Sequence, residues 1–169
     1  MTRILTPRLV LETLTTDEAS AITRGERGSR LWAEDYPADS DVVVAAIAIE
    51  AGELYDEESA YGVLQVRMAD SGLAVGGIGF VHAPDETGAA EVGYGLVGSA
   101  RHRGLATEAL EGVVAWAAAQ GLRTMVATTA PDNLASQRVL QRCGFRVVGL
   151  EDGGEDGVLQ RWERALGAG

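Results

Sequence analysis

The chain contains no lysine. All 14 of its basic residues are arginines, and they are outnumbered by 25 Asp and Glu, for a net charge of −11 over 169 residues. Without a side-chain amine, Schiff-base chemistry is closed. The acidic balance excludes a nucleic-acid partner, because phosphate backbones select basic surfaces; it suits a cationic partner or plain solubility. Cysteine occurs once, at Cys143, which rules out an internal disulfide. With two histidines and no Cys/His cluster at metal spacing, no structural metal is expected. Aromatic residues are few, at 5%. No apolar run is long enough to cross a bilayer, so no membrane partner is expected. The start, Met1 to Pro7, lacks the apolar core of a signal peptide. These absences leave a cytoplasmic globular protein, and the length suits one domain spanning 1–169.

What is present reads as alternating elements. Arg8 to Leu14 is a short β-rich run. Thr15-Thr16-Asp17-Glu18 reads as an N-cap with acids in the first turn of a helix that runs to about Arg24. After a loop from Gly25 to Ser40, Asp41 to Leu54 reads as a helix capped by Asp39 or Ser40. Tyr61 to Met68 and Leu73 to Val81 alternate as paired strands around the Asp70-Ser71-Gly72 turn. Ala90 to Val97 is a further strand. Leu105, Leu110, Val113, Val114 and Ala117 mark one face of a helix from Gly104 to Gln120, stopped by Gly121. A strand at Leu122 to Thr129, a helix from Asn133 to Gly144, and a strand pair at Phe145 to Leu150 and Val158 to Arg164 complete the order. This is a mixed α/β chain without the regular βαβ alternation of a doubly wound dinucleotide fold.

The segment from Glu91 to Phe145 carries the chemistry. Arg101-His102-Arg103-Gly104-Leu105-Ala106-Thr107 reads R-x-x-G-x-A at the mouth of a helix. Such a turn aims several N–H groups at one point, and the helix dipole adds partial positive charge. It is a site for a diphosphate or simply a tight strand-to-helix turn. Gly93 and Gly95 inside a strand signal close backbone approach.

Together these residues resemble the acyl-CoA-binding core of the GNAT N-acetyltransferase superfamily, whose diphosphate signature (Q/R)-x-x-G-x-(G/A) is met by Arg101, Gly104 and Ala106. Thr6-Pro7-Arg8-Leu9, Arg103 to Ala109, Asn133-x-x-Ser136 and Gly144-Phe145 are similar to the subgroup of ribosomal-protein alanine N-terminal acetyltransferases. The resemblance implies a single GNAT-like α/β domain with a mostly antiparallel sheet and about four helices. It implies acetyl-CoA as co-substrate, no metal, and an amine acceptor, either a small molecule or a protein N-terminus. A homodimer remains open. The cofactor residues it implies are Leu96 and Val97 by backbone at a bulge, the turn Arg101 to Thr107, Asn133, Ser136 and Arg138. His102 stands where the family often has Gly, with its side chain expected to point outward. Glu91 is implied as general base through water, or else is a strand-end carboxylate. The similar subgroup implies Ser136 as the acid for the leaving thiolate; the family's usual tyrosine, seven residues after the Asn, is Leu140 here, so either Ser136 serves, or water does, or the thiolate leaves unprotonated. Arg142 reads as a solvated basic residue and Cys143 as a packed apolar one.

Trp32, Asp35, Tyr36 and Glu91 are the expected acceptor side, since two aromatics and two acids between Trp32 and Tyr36 can form a cation-receiving wall. Trp162 faces the same pocket or packs in the core. The rival reading is a non-catalytic acyl-CoA-binding regulatory module.

Overall fold

The computed structural model describes residues 1–50 and 61–167. Eight strands form one sheet: β1 Arg3–Leu5, β2 Leu9–Thr13, β3 Val63–Met68, β4 Ala74–Phe80, β5 Ala89–Leu96, β6 Thr124–Thr129, β7 Arg146–Asp152 and β8 Val158–Ala165. Their order is β1-β2-β3-β4-β5-β6-β8-β7, and every pairing is antiparallel except β5 with β6. Four α-helices stand among the described residues: α1 Thr16–Arg24, α2 Asp39–Glu50, α3 Leu105–Ala119 and α4 Leu134–Arg142. The architecture is therefore the mixed α/β, mostly antiparallel one expected. Strand β1 was not expected; three residues are too few to show an alternating pattern.

The helix signals act as their chemistry dictates. Thr15 accepts a hydrogen bond from the Glu18 N–H, and Gly25 closes α1 in the left-handed region at φ 65°. Helix α2 begins at Asp39, two residues before the expected start. The reason is Asp41, whose Oδ2 reaches back to accept the Ala38 N–H at 2.9 Å, one half of a capping box. The expected continuation of this helix past Glu50 to Leu54 lies outside the described residues. On α3 the five apolar positions read from the sequence are all buried, together with Ala109. Trp162 is core, 2% exposed, with its indole N–H donating to Thr129 Oγ1 at 3.0 Å.

Parity along β4 and β5 assigns the sheet's two faces. Phe80 packs beside Trp116 of α3 with ring centroids 5.8 Å apart. Gly77 and Gly95 point the other way: Cβ atoms there would lie 3.4 Å from Asp41 Oδ1 and 3.3 Å from Ser40 Oγ, on α2. So α3 covers one face, and α2 covers the other across strands that present glycine instead of side chains.

The parallel join is short. Strand β5 pairs with β6 only at Ala89, Ala90 and Glu91, although β5 continues to Leu96 and β6 to Thr129. Beyond Glu91 the two strands part, and the sheet opens into a fork.

Paired glycines in this region differ in the room around them. Gly79 and Gly93 are cross-strand partners. A Cβ on Gly79 would lie 2.5 Å from the Gly62 carbonyl oxygen and 2.6 Å from Val63 Cα, whereas one on Gly93 meets nothing within 4 Å. Gly79→Ala should therefore cost about 1–3 kcal/mol, the range for overpacking against backbone. Gly93→Ala should be neutral or stabilising by up to about 1 kcal/mol, through a less flexible unfolded chain. Urea midpoints of the two variants check this; equal losses would contradict it.

Candidate active site

The turn before α3 alternates extended and left-handed residues. Arg101 is extended, His102 is left-handed at φ 59°, and Gly104, the N-cap of α3, is left-handed at φ 75°. Alternation of this kind curls successive N–H groups toward one point. The helix's first backbone bond joins the Glu108 N–H to the Gly104 carbonyl, so the amides of Leu105, Ala106 and Thr107 have no partner within the helix. His102 occupies a conformation that favours glycine, and its ring is exposed, as expected.

Glu108, in the first turn of α3, would compete with any anion there, but it is fully engaged. Its Oε1 accepts from Thr6 Oγ1 at 2.6 Å and from the Arg8 N–H at 2.7 Å, and its Oε2 accepts from Arg8 Nε at 2.6 Å. Burial alone would push this carboxyl up, but the hydrogen bonds from Thr6 and Arg8 outweigh it and hold the carboxyl below its ordinary value. Arg8 also donates to the Arg103 carbonyl at 3.0 Å. The Thr6-Pro7-Arg8 segment thus braces the anion turn from outside.

The turn opens onto a groove of about 640 Å³ that runs along the fork. Arg101, His102, Gly104 to Thr107, Asn133, Ser136, Arg138 and Arg142 line it. Leu96 lines it too, and its carbonyl accepts from Arg101 Nε at 2.9 Å. Two expectations fail here. Arg103 does not line the groove; its carbonyl is held by Arg8. Val97 is 1% exposed and its N–H donates to the Val75 carbonyl at 2.9 Å, so it has no free amide to offer. The expected bulge is also missing, since β4 and β5 pair in unbroken register from Gly76↔Leu96 to Phe80↔Val92. The free edge arises instead from strand parity. Val97 and Glu91 use their backbones toward β4, so the backbones of Tyr94 and Leu96 face the fork.

Tyr94, missed by sequence reasoning, spans that fork. Its hydroxyl donates to the Ser136 carbonyl at 3.1 Å, and burial pushes the phenol well above its ordinary value. Asn133 caps α4 by accepting the Ser136 N–H at 3.2 Å. The position of the missing tyrosine, Leu140, is fully buried.

On the opposite face, a second cavity of about 350 Å³ lies between α2 and the glycine floor. Leu14, Ile22, Val44 and Ile47 wall it, with Tyr36, Ser40, Asp41 and Gln65 as polar groups. The two cavities share Ser40, Tyr94 and Gly95. Tyr36 takes its expected place, its oxygen accepting from Gln65 Nε2 at 3.0 Å. Trp32 and Asp35 do not line the cavity. Trp32 is buried behind Tyr36, edge-on at 5.4 Å, and donates to Glu18 Oε1. Asp35 accepts from Ser99 Oγ and the Ser99 N–H, which hold its carboxyl below the ordinary value and tie the loop to the turn before Arg101. Glu91 shares the face of Gly93 and Gly95 but lines neither cavity; its Oε1 accepts from Thr128 Oγ1 at 3.0 Å, where the strands last pair. Cys143 is 1% exposed, and burial pushes its thiol up to about 12.

Residues 8–146 match the model of the acetyltransferase (GNAT) domain family. The N-acetyltransferase YjdG of Bacillus subtilis, itself uncharacterized, is 38% identical over 72 residues, a match spanning 42% of this chain and 43% of that relative. Among solved structures, a protein assigned to the GnaT-family acetyltransferases from Bordetella pertussis superposes with a TM-score of 0.71 at 25% identity, covering 98% of this chain and 100% of the other. RimL, a ribosomal L7/L12 α-N-protein acetyltransferase solved with coenzyme A, gives a TM-score of 0.71 at 18% identity over 99% of this chain and 100% of its own, a likeness of fold. An anion turn at a helix mouth, a forked sheet beside it and a family model covering most of the length lead to one conclusion: this chain belongs to the GNAT acetyltransferase family.

Proposed function

We propose that the protein transfers an acetyl group from acetyl-CoA to a primary amine, of a small molecule or of a protein N-terminus, by direct attack within a ternary complex. One observation carries this reading: the groove beneath the anion turn and the cavity under α2 meet at Ser40, Tyr94 and Gly95. A cofactor lying in the first would bring its thioester to the mouth of the second. The amides of Leu105, Ala106 and Thr107 would hold the diphosphate, and Arg101, Arg138 and Arg142 would add charge. The pantetheine arm would run in the fork along the backbone of Tyr94 and the N–H of Leu96, whose carbonyl already accepts from Arg101 Nε.

In this reading most of the acceleration comes from holding amine and thioester in line, with a backbone donor on the developing oxyanion. No covalent acyl-enzyme is expected on the one thiol, which is buried and held protonated. Ser136 sits one turn into α4 beside the groove and is the candidate acid for the departing sulfur. Glu91 acts at most through water, and its bond to Thr128 gives it a second use in holding the fork's base.

Three measurements test the reading. Calorimetry with coenzyme A on the wild-type protein should show binding, and mass spectrometry with acetyl-CoA and an amine panel should show an acetylated product; binding without turnover would favour the regulatory module. Gly104→Glu places a carboxylate among the amides and a side chain on a left-handed backbone, so coenzyme A affinity should fall on the order of 100-fold while far-UV circular dichroism is kept. Ser136→Ala should lower kcat by about tenfold at most, since a thiol with a pKa of about 8.5 leaves tolerably as thiolate. A much larger loss would make Ser136 an obligatory acid.

A further inference from the structure

We infer that the acceptor is a small primary amine carried on an apolar body, and that Asp41 receives its ammonium end and takes its proton. This rests on the acetyl-transfer reading and adds the substrate class to it.

The cavity under α2 is too large to be a packing defect in an interior that otherwise fills its space. At about 350 Å³ it has room for roughly a dozen non-hydrogen atoms, taking about 30 Å³ for each. Its walls are aliphatic and its floor is glycine: Gly77 and Gly95 bring backbone where side chains would stand, and Gly93 leaves open space. Among the described residues, Asp41 is the one charged residue that lines it. It is 8% exposed.

Asp41 uses one oxygen for structure and leaves the other for chemistry. Oδ2 accepts the Ala38 N–H, and Oδ1 points over the floor, 3.4 Å from where a Cβ on Gly77 would sit. A helix cap needs only a neutral acceptor, which Asn supplies. A carboxylate here is costly unless a cation meets it, and burial pushes its carboxyl above the ordinary value. Among the described residues no arginine or histidine lines the cavity. The polar groups that face Asp41 are Ser40, Gln65 and the hydroxyl of Tyr36, itself held neutral by burial. Gly77 pairs with Gly95, and Gly95 and Ser40 also line the cofactor groove. Asp41 is therefore one residue pair from the place where the two cavities meet, whereas Glu91 lines neither.

These facts discriminate among amines. A polyamine or an aminated sugar would leave further charges or hydroxyls against aliphatic walls. A free amino acid would bring its own carboxylate toward Asp41. An alkyl or arylalkyl amine satisfies both constraints. The ammonium gives one proton to Asp41, and its lone pair attacks the thioester carbonyl. The C–N bond forms, the C–S bond breaks, and the second nitrogen proton leaves with the thiolate as thiol. Asp41 then releases its proton to solvent.

The test uses the wild-type chain, Asp41→Asn and Gly93→Leu, each first checked for coenzyme A affinity by calorimetry. Asn keeps the acceptor for Ala38, and Leu at residue 93 grows into open cavity, so both variants should fold and bind coenzyme A as the wild type does. 2-Phenylethylamine, isoamylamine, a leucyl peptide amide, spermidine and glycine are then compared by product mass. The inference expects the first two to exceed spermidine and glycine in kcat/KM by about 100-fold, consistent with a pocket that discriminates through several methylenes. Asp41→Asn should lower their kcat/KM by at least about 30-fold, the lower range for removing one partner of a buried charge pair, and Gly93→Leu should abolish their turnover. Equal or better turnover of spermidine or glycine, or a fully active Asp41→Asn, would overturn this inference while the acetyl-transfer reading stands. Faster reaction of the leucyl peptide amide than of the free amines would overturn the small-molecule source. Coenzyme A binding with no product from any amine would remove both readings together.

Discussion

Everything at this site depends on how briefly β5 and β6 stay paired. Three residues of parallel ladder, ending at Glu91, join the two halves of the sheet. Had pairing continued to Leu96, the backbones of Tyr94 and Leu96 would be spent on β6 and no groove would exist. Because it stops, an eight-stranded sheet acquires an internal edge that is neither solvent-facing nor closed. Internal edges of this kind are open to an extended ligand that supplies the missing hydrogen bonds. The hydrogen bond between Thr128 and Glu91 secures the base of the fork, and that between Tyr94 and the Ser136 carbonyl bridges its arms.

The fork would be useless without a fixed anchor, and the anchor is braced from a distance. Residues 101–104 hold two left-handed positions close together, one of them a histidine that gains nothing from that conformation. Such a turn persists only when its surroundings over-determine it. Arg8 and Thr6 do so by saturating Glu108 and the Arg103 carbonyl, and Asp35 does so through Ser99. A carboxylate in the first turn of α3, which would repel a diphosphate, is converted into a tether. The turn before α3 and the cavity under α2 are thus mechanically linked, since Asp35 belongs to the loop that also carries Tyr36.

Local signals were read well where the chemistry is local. The N-cap of α1, the apolar stripe of α3, the cap at Asn133 and the anion turn depend on residues within a few positions of one another, and each stands where spacing puts it. Non-local signals failed in an instructive way. Trp32 and Asp35 looked like a cation wall because aromatics and acids cluster there, yet Glu18 takes the indole and Ser99 takes the carboxylate, partners 14 and 64 residues away. The family resemblance implied Val97 as a backbone contact; its N–H is spent on the Val75 carbonyl of β4. Ser40, Asp41 and Tyr94 carried no motif at all.

By itself the sequence determined the helices, seven of the eight strands and the tight turn before α3, since dihedral preference, periodicity and capping act over one or two turns. Which strand edges stay open, which acid is spent on structure and which cavity faces the cofactor groove were decided only by the tertiary fold. The physical reason is that a hydrogen-bond donor or a carboxylate is available only after every distant partner has been counted, and those partners are brought together by the packing of the sheet.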